Sequence, residues 1–414
     1  MFRSGAACRP RAWAGRPCPT PARGRSMRQD TIASMQARAL QRLQARIRET
    51  ELAAVLIASP ANLRYLTGFH SNAYSRPLTL VVPAAGAPSL LVPRLEELQA
   101  REMTRLADIR SYVEWDEGSR AGGRLDAEWL ALLGEVLAER ALADGRLGLE
   151  RSAMGAAREA ALRERLPTAG WTDAGGWVEG MRLVKEADEI ENHRRAGRLA
   201  AAGLDAGFAA ARGGASELEI KGASLAATLA AGARQCPDLA VAAAGNALVG
   251  ERIAAIHTPA GSRPARAGDG VFVVLSASVG GSHCELSRTI VVGQAPTSVQ
   301  RRLFRAVARA HEAARALVKA GTPARDLDRA ARRALAEEDL AQYLPMRTGH
   351  GLGLAPVEAP DLGAGDPTPL RPDMVISIEP GVSIPDVGGV LWADNYVVTE
   401  GGAEALTAYP VEVE

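Results

Sequence analysis

The sequence predicts an α+β protein in which a smaller α/β unit precedes a larger one, an antiparallel sheet backed by helices. Three observations carry this reading. Between residues 35 and 180 short apolar runs alternate with helical stretches. The second half opens on helices rather than strands. Its later strands then carry acids on one face, as a sheet does when helices cover one side and the other lines a pocket.

The first 26 residues hold six arginines and four prolines and no acid. Without those six charges the net falls from +1 to −5, so the body of the protein is mildly acidic. The segment lacks the apolar stretch of a secretory signal, and Pro17, Pro19 and Pro21 would break a transit-peptide helix. Residues 1–34 are therefore expected to be a disordered tail or a mis-called start, with Met27 the initiator. The α/β unit follows over 35–180. LAAVLIA (52–58), PLTLVVP (77–83) and SLLVP (89–93) read as strands, Arg94–Arg105 as a helix, IRSYVEW as the next run. Asp126–Arg140 reads as a second helix, and RLGLE (146–150) as a further strand. The turn-rich PTAGWTDAGGW (167–177) leads into a unit spanning 181–414.

That unit starts with a long helix, Ala187–Arg212, stopped by Gly213 and Gly214. Ser216 and Glu219 form a capping-box pattern for the next, running to Gln235. VFVVL (271–275) and ELSRTIVVG (285–293) are strands joined through a Gly280-Gly281 turn. In the second of these Leu286, Ile290 and Val292 share one face, while Glu285, Ser287 and Thr289 share the other. A helix following Ser298 precedes late strands at MVISIEP (374–380) and YVVTE (396–400).

No run of about 18 uncharged apolar residues occurs, which excludes a transmembrane helix. The basic residues are nearly all arginine, with lysine only at positions 185, 221 and 319, a bias of composition rather than a nucleic-acid patch. Neither nucleic acid nor membrane is expected as a partner. Four cysteines without CxxC spacing, two of them in the tail, point to a reducing cytoplasm.

There is no GxSxG elbow, P-loop, HExxH or strand-to-helix GxGxxG. The candidates for chemistry are four residues in apolar or glycine-rich settings: His257 in AAIHTP, Glu285 inside a strand, His350 in TGHGLGL and Glu379 in ISIEPG. A carboxylate within an apolar strand costs several kcal/mol unless it has a partner. Two such acids with two histidines suit either a metal site or a general acid–base site.

These motifs, in this order, identify the chain as similar to the creatinase, aminopeptidase P and prolidase superfamily. The resemblance runs from SPANLRYLTGF (59–69) through RLVKEADEIENHRRAG (182–197), AGNALVGERIAAIHTP, TGHGLGL and ISIEPGV to VVTEGGAEALT (397–407). It implies a pita-bread catalytic domain behind a creatinase-type N-terminal domain, and hydrolysis of a C–N bond. The superfamily's five metal ligands fall on Val274, Glu285, His350, Glu379 and Ala393, of which two cannot ligate. The histidine usual after the GHG motif is replaced by Val357. The pattern resembles creatinase, which works without metal. By that likeness His257 carries the proton, Glu285 and Glu379 bind a cationic group, and His350 completes the site. Arg76, with Tyr74 beside it, would grip a carboxylate across a homodimer.

The leading expectation is thus a creatinase-like hydrolase with no cofactor, acting on a small substrate that bears a carboxylate and a cationic nitrogen. The alternatives are an Xaa-Pro aminopeptidase or dipeptidase with one divalent ion (Mn, Zn or Co) on Glu285, His350 and Glu379, and a non-catalytic binding protein of the same fold.

Overall fold

Ala54–Ile57 (β1), Thr79–Pro83 (β2) and Ser89–Pro93 (β3) are buried along their whole length. They form the centre of the N-terminal sheet in the computed structural model, which describes residues 27–71, 76–113 and 126–410. The chain enters through a helix, α1 (Met27–Glu49), which begins inside the stretch expected to be tail. Ala39, Leu43 and Ile47, four residues apart, give it an apolar stripe that packs on the sheet. Then come α2 (Pro60–Thr67), α3 (Glu97–Met103), β4 (Asp108–Tyr112), α4 (Ala127–Glu139), β5 (Arg146–Leu149), α5 (Arg151–Met154), α6 (Ala156–Arg165), β6 (Gly170–Asp173) and α7 (Trp177–Arg182). The six strands lie in the order β4-β3-β2-β1-β5-β6. β1, β5 and β6 run parallel, and β2 is antiparallel to both its neighbours. Helices cover both faces, as the buried runs require: α1 and α2 on one, α4 and α6 on the other.

The catalytic half starts with α8 (Ala187–Arg212) and α9 (Glu217–Gln235), each opened by a reciprocal capping box, Glu186 with Glu189 and Ser216 with Glu219. They back an antiparallel sheet of β7 (Val241–Val249), β8 (Gly270–Val279) and β9 (Ser282–Val291). Phe208, Leu204 and Ile220 of the helices meet Val271, Val273, Leu286 and Ile290 of the strands in one core. Gly280 and Gly281, both at positive φ, make the two-residue hairpin turn between β8 and β9.

A second helix pair, α10 (Ser298–Arg315) and α11 (Ala324–Ala336), backs the other side of the unit. The cap of α10 is Thr297, paired with Gln300. The strands here are β10 (Gly349–Gly351), β11 (Glu358–Leu362), β12 (Val375–Ile378), β13 (Gly381–Ile384), β14 (Gly388–Leu391), β15 (Asp394–Val398) and β16 (Ala403–Ala405). Five of them pair antiparallel in the order β11-β10-β12-β15-β16, with β13 and β14 a separate hairpin. The two sheets join where Ser287 of β9 bridges Ala393, just before β15. This antiparallel sheet with a helix pair behind each half is the expected pita-bread architecture. The acids converge in the cavity this sheet lines.

Candidate active site

Each functional side chain is held by strand register. Glu285 lies opposite Ser276 in the β8–β9 ladder, on the face away from the α8–α9 core. Its backbone is gripped from the neighbouring sheet: the Glu285 N–H donates to Asn395 Oδ1 at 2.9 Å, and Asn395 Nδ2 donates to the Glu285 carbonyl at 2.7 Å. His350 is the middle residue of β10, opposite Asp361 of β11 and Ser377 of β12, and is 3% exposed. The glycines on either side permit this crowding. A Cβ on Gly349 would lie 2.0 Å from the Ser377 carbonyl oxygen, and one on Gly351 would lie 2.0 Å from that of Ala359. The neighbouring strands, then, are what demand the glycines. Glu379 follows the last residue of β12 and is anchored by its own N–H, which donates to the Thr348 carbonyl at 2.7 Å.

The three side chains meet. His350 Nε2 is 3.4 Å from Glu285 Oε2 and 3.4 Å from Glu379 Oε1, and their potential ligand atoms all lie within 4.8 Å of one another. His350 Nδ1 faces the Gly351 carbonyl at 3.0 Å, which places a proton on Nδ1 and turns Nε2 toward the two carboxylates. Burial, reinforced by the negative charge of Glu285, pushes the Glu379 carboxyl well above the usual carboxylate range. Burial opposes the charged form of His350, but Glu285 and Glu379 outweigh it and raise its pKa. The cluster is thus short of a positive charge.

It lies in a cavity of about 600 Å³ whose wall includes His257, Phe272, Val274, Arg347, Val357 and Asp361. His257 is exposed, in a turn following Gly250–Ala254. Asn246 fastens that loop, donating from Nδ2 to the Thr258 carbonyl at 2.8 Å and accepting from the Ala260 N–H at 3.1 Å. Val274 lines the cavity where the resemblance places a carboxylate, and Ala393 occupies the other emptied ligand position, bridged to Ser287. Arg76 stands before β2 and does not line this cavity; Tyr74 lies outside the described residues. Sequence reasoning missed Arg347 and Asp361. The register across β10 and β11, which sets Asp361 opposite His350, is the signal that finds Asp361.

Fold and site together define a two-domain hydrolase of C–N bonds. Residues 191–400 match the model of metallopeptidase family M24, and residues 39–184 match that of the creatinase/prolidase N-terminal domain. The chain belongs to metallopeptidase family M24. It is 32% identical over 387 residues to the probable dipeptidase PepE of Mycobacterium tuberculosis, covering 92% of this chain and 96% of that one. Among solved structures it resembles dipeptidase PepE from Mycobacterium ulcerans, with a TM-score of 0.76 at 29% identity, covering 92% and 97% of the two chains. It also resembles the prolidase from Pyrococcus horikoshii OT3, with a TM-score of 0.76 at 26% identity, covering 91% and 100%.

These findings correct one expectation. A chain without any cofactor was the leading reading, yet the family is a metallopeptidase family and the similar proteins are dipeptidases and prolidases. The residues present fit that correction for a single ion. One imidazole nitrogen and two carboxylates converge, the donor set of a mononuclear hydrolytic centre. The alternative expectation, one ion on Glu285, His350 and Glu379 despite Val274 and Ala393, is the one these findings favour over the metal-free reading. No described helix is long and apolar enough to cross a membrane.

Proposed function

We propose that this protein is a dipeptidase of the Xaa-Pro type that works with one divalent ion held by Glu285, His350 and Glu379. The observation that supports this most directly is the convergence of these three groups on the floor of the cavity. A bound divalent ion supplies Lewis acidity toward the scissile carbonyl and lowers the pKa of water. The chain's own residues do the rest. The Gly351 carbonyl fixes the His350 tautomer, and Asn395 fixes Glu285. His257, on the solvent side of the cavity, passes a proton to the departing nitrogen, a task suited to an imidazole. The apolar side chains of Phe272 and Val274 exclude water around the peptide.

A dipeptide carries a carboxylate and an amine, the substrate class inferred from the sequence. Cys236 and Cys284 are free and buried, which suits a reducing compartment, and we place the enzyme in the cytoplasm. The test is metal content per purified chain, with hydrolysis of Ala-Pro before and after chelation. One ion per chain, with turnover lost on chelation and restored by Mn²⁺, is expected. Full turnover in metal-stripped protein would overturn the reading.

A further inference from the structure

A dipeptide's carboxylate needs a cation, because the floor of the cavity is acidic. Three basic side chains line the cavity, His257, His350 and Arg347; His350 is taken up by the acidic cluster, and among the three only the guanidinium carries a permanent charge. Arg347 lies three residues before His350, on the segment that leads into β10. Its Nη1 donates to Asp361 Oδ2 at 3.2 Å, with the two side chains 35% and 52% exposed.

A second cavity, of about 480 Å³, shares Arg347, Val357 and Asp361 with the first and reaches Ser59 and Ala61 of the N-terminal domain. Arg347 therefore stands on the wall common to both spaces. Its resting partner holds it by one contact in a half-exposed pair. A substrate carboxylate can engage the guanidinium through two parallel bonds.

We propose that Arg347 is the residue that binds the substrate's carboxylate, and that Asp361 is a resting counter-ion exchanged for it on binding. Asp361 holds the guanidinium in place while the site is empty, and repels any anion that cannot replace it. Val357 leaves the passage between the two cavities lined by an aliphatic side chain. This inference rests on the dipeptidase reading for the identity of the substrate, but not for the chemistry of the anion site.

The test compares free acids with their amides on the full chain in Mn²⁺, for the wild type, Arg347→Gln, Arg347→Lys and Asp361→Asn. Binding of proline and prolinamide is measured by calorimetry, and hydrolysis of Ala-Pro and Ala-Pro amide by rate. The wild type should favour the acids by at least about tenfold, the scale of a charge-assisted bidentate contact. Arg347→Gln should bring the acid-to-amide ratio close to one, through KM rather than kcat. Arg347→Lys should restore part of it, and Asp361→Asn should tighten proline several-fold. A wild type that does not distinguish proline from prolinamide would overturn the proposal, as would an Arg347→Gln chain that keeps the wild-type ratio. If the wild type cleaves neither peptide while Arg347→Gln still erases the preference for proline, the dipeptidase reading fails and the anion site stands.

Discussion

Asn395 and Glu285 exchange a pair of hydrogen bonds across the seam between the two sheets, side-chain amide to main chain, at 2.9 and 2.7 Å. Asn395 is 1% exposed and also donates to Ser377 Oγ, so one amide ties β9 to β12 beneath the proposed ligand cluster. Asn395→Ala leaves the Glu285 N–H and carbonyl without these partners. A loss of about 1–3 kcal/mol follows from such unsatisfied groups, read as a lower midpoint in urea. Because Glu285 then loses its fixed position, Mn²⁺ affinity should drop by roughly 10–100-fold, the usual effect of removing a group that orients a ligand. Unchanged Mn²⁺ affinity in a folded Asn395→Ala chain would show that the clamp has no part in the site.

The charge shortage at the cluster makes the metal-free protein sensitive to pH. The folded Glu379 carboxyl titrates at about 8, against about 4.5 for an ordinary one. Between these values the folded chain holds a proton that the unfolded chain has released, so stability must fall as pH rises. The contribution is full below the lower value and lost above the higher. His350, also raised, changes stability in the same direction. Melting chelator-treated protein across this window should show a falling midpoint, and Glu379→Gln should flatten the slope. A midpoint that climbs with pH and is insensitive to Glu379→Gln contradicts the account. Metal must displace the same proton, so Mn²⁺ affinity should increase over that window.

How far the sequence reveals this molecule depends on whether a residue's neighbours are local. The capping boxes are local, and so the start of α9 at Glu217 was legible from Ser216 and Glu219. The alternation in β9 was legible too, and it set Glu285 apart from Leu286 and Ile290. β10 and β11 were not, because strands of three and five residues give no period to read. The same gap hid Arg347 and Asp361, whose meaning depends on a register between segments. The sequence left the metal question between two readings for a related reason. The sequence shows which ligand positions are emptied, at Val274 and Ala393, and that Glu285, His350 and Glu379 could still share one ion, while the fold shows how closely these three converge.

The two domains are coupled by a buried charge chain that predicts a large mutational effect. Glu150 of the N-terminal domain accepts from Asn62 Nδ2 at 2.6 Å, Asn62 accepts from Arg182, and Arg182 donates to Glu358 of β11. Lys185, whose side chain is 2% exposed, lies 3.8 Å from the same Glu358 carboxylate. Removing that carboxylate leaves two cations buried with less charge compensation, and burial already depresses the Lys185 pKa. Glu358→Ala should therefore cost about 3–5 kcal/mol, the range for breaking one side of a buried pair. Chemical denaturation measures it, and a change below about 1 kcal/mol, the scale of an exposed pair, would refute the assignment.

Arg76 poses the question of assembly. It belongs to the N-terminal domain, before β2, and is absent from the wall of its own chain's cavity. A role at the site requires that it arrive from a second copy, so we propose a homodimer whose pockets are completed across the interface. The consequence is a rule of complementation. Arg76→Ala and His257→Ala chains would each be impaired alone, one failing its neighbour and the other failing itself. In a hybrid, the Arg76→Ala chain keeps its own His257 and receives Arg76 from its partner, so one intact pocket forms. Mixed, exchanged subunits should recover up to about a quarter of wild-type turnover, since half the dimers are hybrids with one working site each. Recovery absent in hybrids shown by mass to have formed would place Arg76 outside the site.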